Sequence, residues 1–170
     1  MKTYLFFITL CVLFYSCSEN KKRCYSSFTY FKGNIKYSYY LKFTSSDTVY
    51  FYDRYPLGKK GTYYFLLDEV TRNELDKIVC KFRFPKDSVQ LNSDVEDGTT
   101  IAFDIDKKRV MLHSNKGPKE FWNFEETMSS IQFLDLLKPL NKKVKFENFD
   151  KMLPAPPILA RSSSLIIKTD

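Results

Sequence analysis

Alternating apolar and polar residues predict the strands of this chain. Between residues 35 and 43 every second side chain is apolar or aromatic, which is typical of a strand with one buried face. The same alternation runs through 48–55 and 62–67, and short polar turns separate the three stretches. Three strands with short connections predict an antiparallel meander. Residues 99–105 and 109–114 alternate again and predict a second hairpin.

Helical spacing replaces this alternation in two places. Thr71 and Glu74 match a capping box, which predicts the start of a first helix that Pro85 closes. A second helix is predicted over 124–138, and a short edge strand over 144–149. The apolar stripes of the two helices consist of Leu75, Ile78, Val79 and Phe82, and of Phe124, Met128, Ile131, Leu134 and Leu137.

The predicted order of elements is ββ(β)-α-ββ-α. Strands with one apolar face need a cover, and both helices carry one apolar stripe. We therefore expect an α+β fold, an antiparallel β-sheet of about five to six strands with two helices packed on one face. A hydrophobic content of 44% and an aromatic content of 17% exclude a disordered chain. The single domain is predicted to span 28–152, followed by a flexible tail, 153–170, rich in proline and serine.

The first residues of the chain determine where we expect the protein to reside. Lys2 precedes an apolar run from Tyr4 to Tyr15. This length suits the core of a signal peptide, about 7 to 15 residues, but not a membrane span of roughly 20. Ser16 then stands directly before Cys17 and a polar stretch. The segment resembles a bacterial lipoprotein signal of the Bacteroidota kind, in which the cysteine after a small residue is lipidated.

This resemblance implies that residues 1–16 are removed as a signal peptide and that Cys17 carries acyl chains such as palmitate. Two or more chains anchor a protein stably in a membrane, at about 0.8 kcal/mol per buried CH₂. Residues 17–27 would form a polar tether. In such lipoproteins surface display resembles a rule that needs acidic residues just after the cysteine, and this chain offers only Glu19 before three cations. The resemblance therefore implies the outer membrane, facing the periplasm. An ordinary cleaved secretion signal, with Cys17 incidental, is the alternative.

Two cysteines remain once Cys11 is removed and Cys17 is lipidated: Cys24 and Cys80. An oxidising periplasm allows them to pair. Cys80 lies opposite the apolar stripe of the first predicted helix, so it is not expected to be a packed core thiol. A Cys24–Cys80 disulfide is one hypothesis, and two unpaired thiols are the other.

The net charge of +7 raises the question of nucleic acid binding. The lysines are scattered, with short basic runs only at 21–23 and 107–109, and an exported lipoprotein would meet no genome. We therefore expect no nucleic acid partner. The charge indicates solubility and a weak attraction to anionic lipid headgroups.

Residues suited to catalysis or metal binding form no recognisable set. His113 is the only histidine, which is too few for a zinc site, and no nucleophile and carboxylate can be assigned to it as a triad. Asp94 and Glu96 begin a stretch that resembles a calcium loop, but Gly98 falls at position 5 instead of position 6. We therefore expect no enzymatic activity, no cofactor and no metal.

Aromatic residues are the feature that suggests a function. Tyr40, Tyr50 and Tyr52 lie in the opposite phase to the predicted core, and Trp122 lies near a predicted loop. Exposed aromatic rings can stack on sugars or anchor a protein partner, although a second buried face or ordinary β-propensity explains them equally well. We expect a lipid-anchored cell-envelope protein with a non-enzymatic domain that binds another envelope component. The alternative is a glycan-binding module, for which these four aromatics would have to form an exposed row.

Overall fold

The computed structural model describes residues 23–55 and 61–152. Within these ranges the chain forms eight strands, two α-helices and one 3₁₀ turn. In chain order the elements are β1 (Ser27–Gly33), β2 (Ser38–Thr44), β3 (Thr48–Tyr55), β4 (Thr62–Leu66), α1 (Glu69–Val79), β5 (Val89–Gln90), β6 (Thr100–Ile105), β7 (Lys108–His113), α2 (Lys119–Ser130), the 3₁₀ turn (Phe133–Leu136) and β8 (Lys138–Pro139).

All the strands belong to one sheet, in the order β5-β7-β6-β1-β2-β3-β4-β8. Each neighbouring pair is antiparallel except β5 and β7, which run parallel. The predicted α+β class is confirmed. The prediction of an antiparallel sheet with five to six strands is wrong, since the sheet has eight strands and one parallel pair. Strands β1, β5 and β8 could not be predicted because their sequences show no two-residue alternation.

Strand β1 occupies the middle of the sheet, between β2 and β6. Every residue from Phe28 to Gly33 is buried, since both faces of this strand are covered. The fold also includes residues 23–27 of the predicted tether: Tyr25 is 5% exposed, and Ser27 begins the strand. The folded domain therefore starts before residue 28.

Helix α1 begins earlier than the predicted capping box. Asp68 is its N-cap, and the Asp68 carboxylate accepts hydrogen bonds from the Thr71 backbone N–H at 2.9 Å and from the Thr71 hydroxyl at 2.6 Å. A carboxylate at this position also interacts favourably with the positive end of the helix. The prediction of Thr71 as the cap residue, with Glu74 as its partner, is wrong.

Helix α2, Lys119–Ser130, begins before the first residue of the predicted range 124–138 and ends before its last. It includes Trp122 and stops at Ile131, whose backbone is extended. The chain then passes through the 3₁₀ turn so that Lys138 can pair with β4, and the residue before Pro139 favours an extended backbone. The apolar spacing beyond residue 131 therefore predicts a continued helix, whereas the chain forms a 3₁₀ turn and returns to the edge of the sheet.

Both helices pack on one face of the sheet, as predicted. The shared core is mostly aromatic: the rings of Phe28 and Phe43 are stacked at 4.5 Å, and Phe124 of α2 meets Phe28 edge-on at 5.7 Å. Core residues contributed by the helices are Leu75, Val79, Phe121, Phe124 and Met128.

The opposite face of the sheet is covered by residues 140–152, which we call the C-terminal arm. Part of this arm, 144–149, was predicted as an edge strand, and that prediction is wrong: the arm crosses the face as irregular chain. Phe149 is fully buried there, against Phe31 and Tyr40. The sheet is therefore enclosed by helices on one side and by the arm on the other.

Several predicted features lie outside the described residues. These are the signal peptide 1–16, the lipidation site Cys17, the first part of the tether and the tail 153–170. Within the described part of the chain, no helix has the length and apolar character needed to cross a bilayer.

Candidate ligand-binding cleft

Two of the aromatic residues singled out from the sequence lie side by side on the arm-covered face. Tyr40 of β2 and Tyr52 of β3 are direct partners in the strand register, and their ring centroids are 6.2 Å apart. Phe146 of the C-terminal arm completes the group, 5.7 Å from the Tyr52 ring and 6.3 Å from the Tyr40 ring. Three elements distant in sequence thus form one aromatic cluster.

This cluster lines a cleft of about 440 Å³ between the sheet and the arm, which we call the aromatic cleft. Ligand pockets typically measure roughly 300 to 1,000 Å³. The side chains that line the cleft are Tyr40, Tyr52, Arg54, Thr62, Lys143, Val144, Phe146, Glu147, Asn148 and Asp150.

The aromatic rings of the cleft differ in accessibility. Tyr40 is only 5% exposed because Phe149 lies parallel to it, 6.1 Å away, and closes one side. Tyr52 is 41% exposed. A ligand in the cleft would therefore contact the Tyr52 ring directly, while the buried Tyr40 ring packs beside the Tyr52 ring.

Polar contacts hold the arm in place around the cleft. Arg54 at the end of β3 pairs with Asp150 at 2.5 Å. Arg109 of β7 pairs with Glu147 at 3.3 Å, and the Lys42 ammonium donates to the Lys145 carbonyl at 2.9 Å. These partners are exposed or half-buried, so each pair adds little stability and mainly fixes position.

Burial raises the pKa of Tyr40, and the nearby Arg54 guanidinium opposes this shift. The hydroxyl of Tyr40 therefore remains a neutral donor and acceptor at neutral pH. Together with the Arg54–Asp150 pair, it gives the cleft hydrogen-bonding groups of both kinds beside an apolar ring surface.

The other two candidate aromatics lie elsewhere. Tyr50 is on the same face but in the neighbouring row of the sheet, where it aligns with Lys42 and Tyr64, and it does not line the cleft. Trp122 lies on α2, packs against the helix-side core and donates its indole N–H to the Lys116 carbonyl at 2.8 Å. The four aromatics therefore form no exposed row.

Cys24 and Cys80 form a disulfide, with Cα atoms 5.7 Å apart. The adjacent Arg23 pairs with Asp76 of α1 at 2.9 Å and with Asp47, in the β2–β3 turn, at 3.0 Å. Tyr25 also donates to Asp76. The N-terminal end of the described chain is thus fastened to the domain by covalent and ionic contacts.

A second groove, of about 380 Å³, lies on the helix side of the sheet. The Lys32 ammonium at its wall is bonded to Glu125 of α2 and to the Ser129 hydroxyl at 2.7 Å. Glu125 holds the Lys32 ammonium as an ion pair, so this contact attaches α2 to β1. Lys32 is therefore not a neutral amine that could activate the Ser129 hydroxyl as a nucleophile. This contact could not be predicted from the sequence, because Lys32 belongs to β1, a strand without two-residue alternation.

His113 is held by structural contacts. One ring nitrogen lies 2.9 Å from the Thr100 hydroxyl and the other 3.1 Å from the Val95 carbonyl. Over the ranges that the structure describes, no group of three or more His, Cys, Asp or Glu residues is placed to hold a metal ion.

Comparison with known proteins adds no relationship to this description. No family model, curated protein or solved structure matches the chain.

Proposed function

We propose that this protein is a lipid-anchored component of the cell envelope whose domain binds a ligand in the aromatic cleft without catalysing a reaction. The observation that carries the proposal is the cleft itself, with the Tyr52 ring exposed in a concavity of about 440 Å³. The anchor is Cys17, and the proposed location is the outer membrane, facing the periplasm.

The direction of the cleft supports an anchored binding domain. The Arg23 guanidinium donates to the carbonyls of Ser45 and Ser46, so the attachment end of the domain lies at the β2–β3 turn. The cleft lies near Arg54, at the other end of β3. Arg54 is the sixth residue after Thr48 in the strand, which is about 20 Å away at ~3.3 Å per residue. A ligand would thus approach from the side away from the anchor.

Binding is favoured over catalysis by the way the charged groups of the cleft are used. Asp150 is paired with Arg54, and Glu147 is paired with Arg109. General acid–base catalysis needs a carboxyl group or histidine placed to exchange protons with a substrate. These carboxylates instead position the arm.

The size of the cleft favours a small ligand or a chain segment over a broad protein surface. Stable protein interfaces bury about 800 Å² on each partner, whereas this cleft has the dimensions of a small-molecule pocket. A saccharide is the second candidate function, and a specific observation favours it: an exposed tyrosine ring lies beside paired hydrogen-bonding side chains, Arg54 and Asp150.

The anchor is tested by metabolic labelling with a palmitate analogue. We expect label on the wild-type protein and on Cys11→Ser, and none on Cys17→Ser. The Cys11 variant is the matched control, since this cysteine lies within the predicted signal peptide. Label that persists in Cys17→Ser, or a wild-type protein without label, would contradict the lipid anchor.

The binding site is tested by crosslinking in intact cells. A photo-crosslinking amino acid is introduced at position 52 in the cleft, and at Val70 as a control, because Val70 is 78% exposed on α1, which packs on the opposite face of the sheet. An envelope molecule captured from position 52 and not from position 70 supports the proposal. Identical products from both positions, or none from position 52, would overturn it.

A further inference from the structure

The C-terminal arm carries more positive than negative charge around the cleft. Its two acidic residues, Glu147 and Asp150, each have a basic partner on the sheet, Arg109 and Arg54. Its lysines are exposed, and among the described residues none of their ammonium groups has an acidic partner. These lysines are Lys142, Lys143, Lys145 and Lys151.

The position of this charge relates it to the cleft. Lys143 lines the cleft directly, on the same wall as Phe146. Lys145 is two residues further along the arm, with its carbonyl fixed by the Lys42 ammonium at 2.9 Å. The backbone that presents the lysines is therefore held, while their ammonium groups remain available to a ligand.

We infer that the aromatic cleft binds a negatively charged saccharide, one whose sugar rings carry carboxylate or sulfate groups. This inference rests on the proposed function and narrows its ligand. The sugar ring stacks on Tyr52, and its anionic group meets the ammonium of Lys143 in a charge-assisted hydrogen bond.

An uncharged sugar would satisfy fewer of these groups. A neutral sugar would stack on Tyr52 and bond to the Arg54 and Asp150 side chains, but it carries no anionic group for the Lys143 ammonium that also lines the cleft. The lysine charge would then contribute nothing to binding. An acidic sugar uses both the aromatic surface and the unpaired cations.

An anionic membrane surface fits the geometry less well than a saccharide. A bilayer presents a flat array of headgroups, whereas the exposed Tyr52 ring lies within a concavity between the sheet and the arm. The cleft also lies at one end of β3, and Arg23 lies at the other end. The chain leads to the proposed anchor from Arg23.

The test uses the mature acylated protein in nanodiscs of phosphatidylcholine. Binding of tetragalacturonate is compared by calorimetry with binding of the same tetrasaccharide fully methyl-esterified, which keeps the sugar rings and removes the charge. We expect the acidic form to bind at least tenfold more tightly at low ionic strength, and the difference to shrink as salt screens the charges.

Three variants separate the contributions of ring and charge. Lys143→Gln should reduce the affinity for the acidic sugar toward that for the ester, without changing the affinity for the ester. Tyr52→Ala should weaken both. Lys119→Gln is the matched control, since Lys119 is exposed on α2, on the helix side of the sheet, and it should change neither.

The outcomes distinguish this inference from the function on which it rests. Equal affinity for the acidic sugar and its ester overturns the charge requirement and leaves the cleft as the proposed binding site. No binding of either sugar, with position 52 still capturing an envelope molecule, overturns the saccharide and keeps the binding domain. Binding to phosphatidylglycerol vesicles that depends on Lys143 but not on Tyr52 also overturns the inference, in favour of a lipid surface.

Discussion

Among the residues that the structure describes, Arg72 is the largest fully buried side chain, at 1% exposure. Its guanidinium donates to the Tyr25 hydroxyl at 2.8 Å and to the Thr44 carbonyl, and pairs with Asp76 at 3.1 Å. It also lies over the Phe43 ring at 5.7 Å. One cation thereby joins α1, the end of β2 and the N-terminal residues of the domain.

Replacing Arg72 by Met should lower the free energy of unfolding by about 3 kcal/mol. Methionine restores much of the volume but removes the guanidinium contacts to Tyr25, Thr44 and Asp76, and breaking a buried pair costs about 3 to 5 kcal/mol. The lower end applies because Asp76 keeps its contact with Arg23. Urea unfolding followed by circular dichroism measures the change.

The control is Lys77→Met, which alters an exposed lysine of the same helix. It should change stability by less than about 0.5 kcal/mol. Equal effects of the two substitutions would show that the buried network contributes nothing particular to the fold.

Tyr30 presents the opposite case, a buried polar group that is not used. Its side chain is fully buried, and its hydroxyl has no hydrogen-bond partner among the described residues. Leaving a buried hydroxyl unsatisfied costs about 1 to 3 kcal/mol. Tyr30→Phe should therefore raise the free energy of unfolding by about 1 kcal/mol at pH 7, as measured by urea unfolding.

The same substitution should change the alkaline stability of the protein. Burial raises the pKa of Tyr30 well above its ordinary value, whereas the unfolded chain ionises near pH 10. The stability linked to this group is present below pH 10 and is lost as pH rises toward the folded pKa. Tyr30→Phe should unfold less readily between pH 10 and 11. An unchanged pH profile would show that Tyr30 does not ionise on unfolding.

At the scale of elements, the strands that could be predicted are those with one face less buried than the other. In β2 the buried Leu41 and Phe43 alternate with the half-buried Lys42, and the sequence displays that difference. In β1 both Tyr30 and Phe31 are buried, one under the helices and one under the arm. A strand covered on both sides shows no alternation, so the central strand of the sheet could not be predicted.

The candidate site was predictable to the same extent. The phase of Tyr40 and Tyr52 placed them on one face of neighbouring strands, and the register makes them direct partners. Phe146 could not be assigned to the cleft, because the C-terminal arm reaches it by long-range packing without regular structure. Neither could Trp122 be excluded, since its placement depends on where α2 begins.

Phe149 is the residue on which the arm depends. Phe149→Ala should lower the free energy of unfolding by about 3 to 4 kcal/mol, because the fully buried ring leaves a cavity against Phe31 and Tyr40. Lys142→Ala, at an exposed position of the same arm, should have an effect below about 0.5 kcal/mol. Urea unfolding measures both variants.

Detachment of the arm gives a second measurement of the same prediction. Trypsin should cleave after Lys145 or Lys151 faster in Phe149→Ala than in the wild type, since a released arm reaches the protease more often. Rapid cleavage at these lysines in the wild type, with no loss of stability in the variant, would contradict an arm that is part of the core.

At the scale of the whole molecule, the N-terminal end of the described chain and the cleft are held by different kinds of contact. The attachment end is fastened by the Cys24–Cys80 disulfide and by the Arg23 contacts to Asp47 and Asp76. The cleft end is held by exposed ion pairs such as Arg54–Asp150, which are individually weak. A covalent bond therefore fastens the N-terminal end, where a membrane anchor would pull on the domain, whereas the contacts that flank the cleft are all non-covalent.

The disulfide closes a loop with a sequence separation of 56 residues. Loop-closure entropy for a loop of this length corresponds to roughly 4 kcal/mol, because the bond restricts the unfolded chain. Cys24→Ser with Cys80→Ser should lower the free energy of unfolding by that amount, and the ionic contacts of Arg23 should keep the native fold intact. Urea unfolding with and without dithiothreitol measures the effect.

The reducing agent should destabilise the wild type to the level of the double variant and leave that variant unchanged. A wild-type protein whose unfolding midpoint is the same in both conditions would contradict the disulfide, and a double variant that is unfolded without urea would show that the ionic contacts cannot hold the attachment end alone.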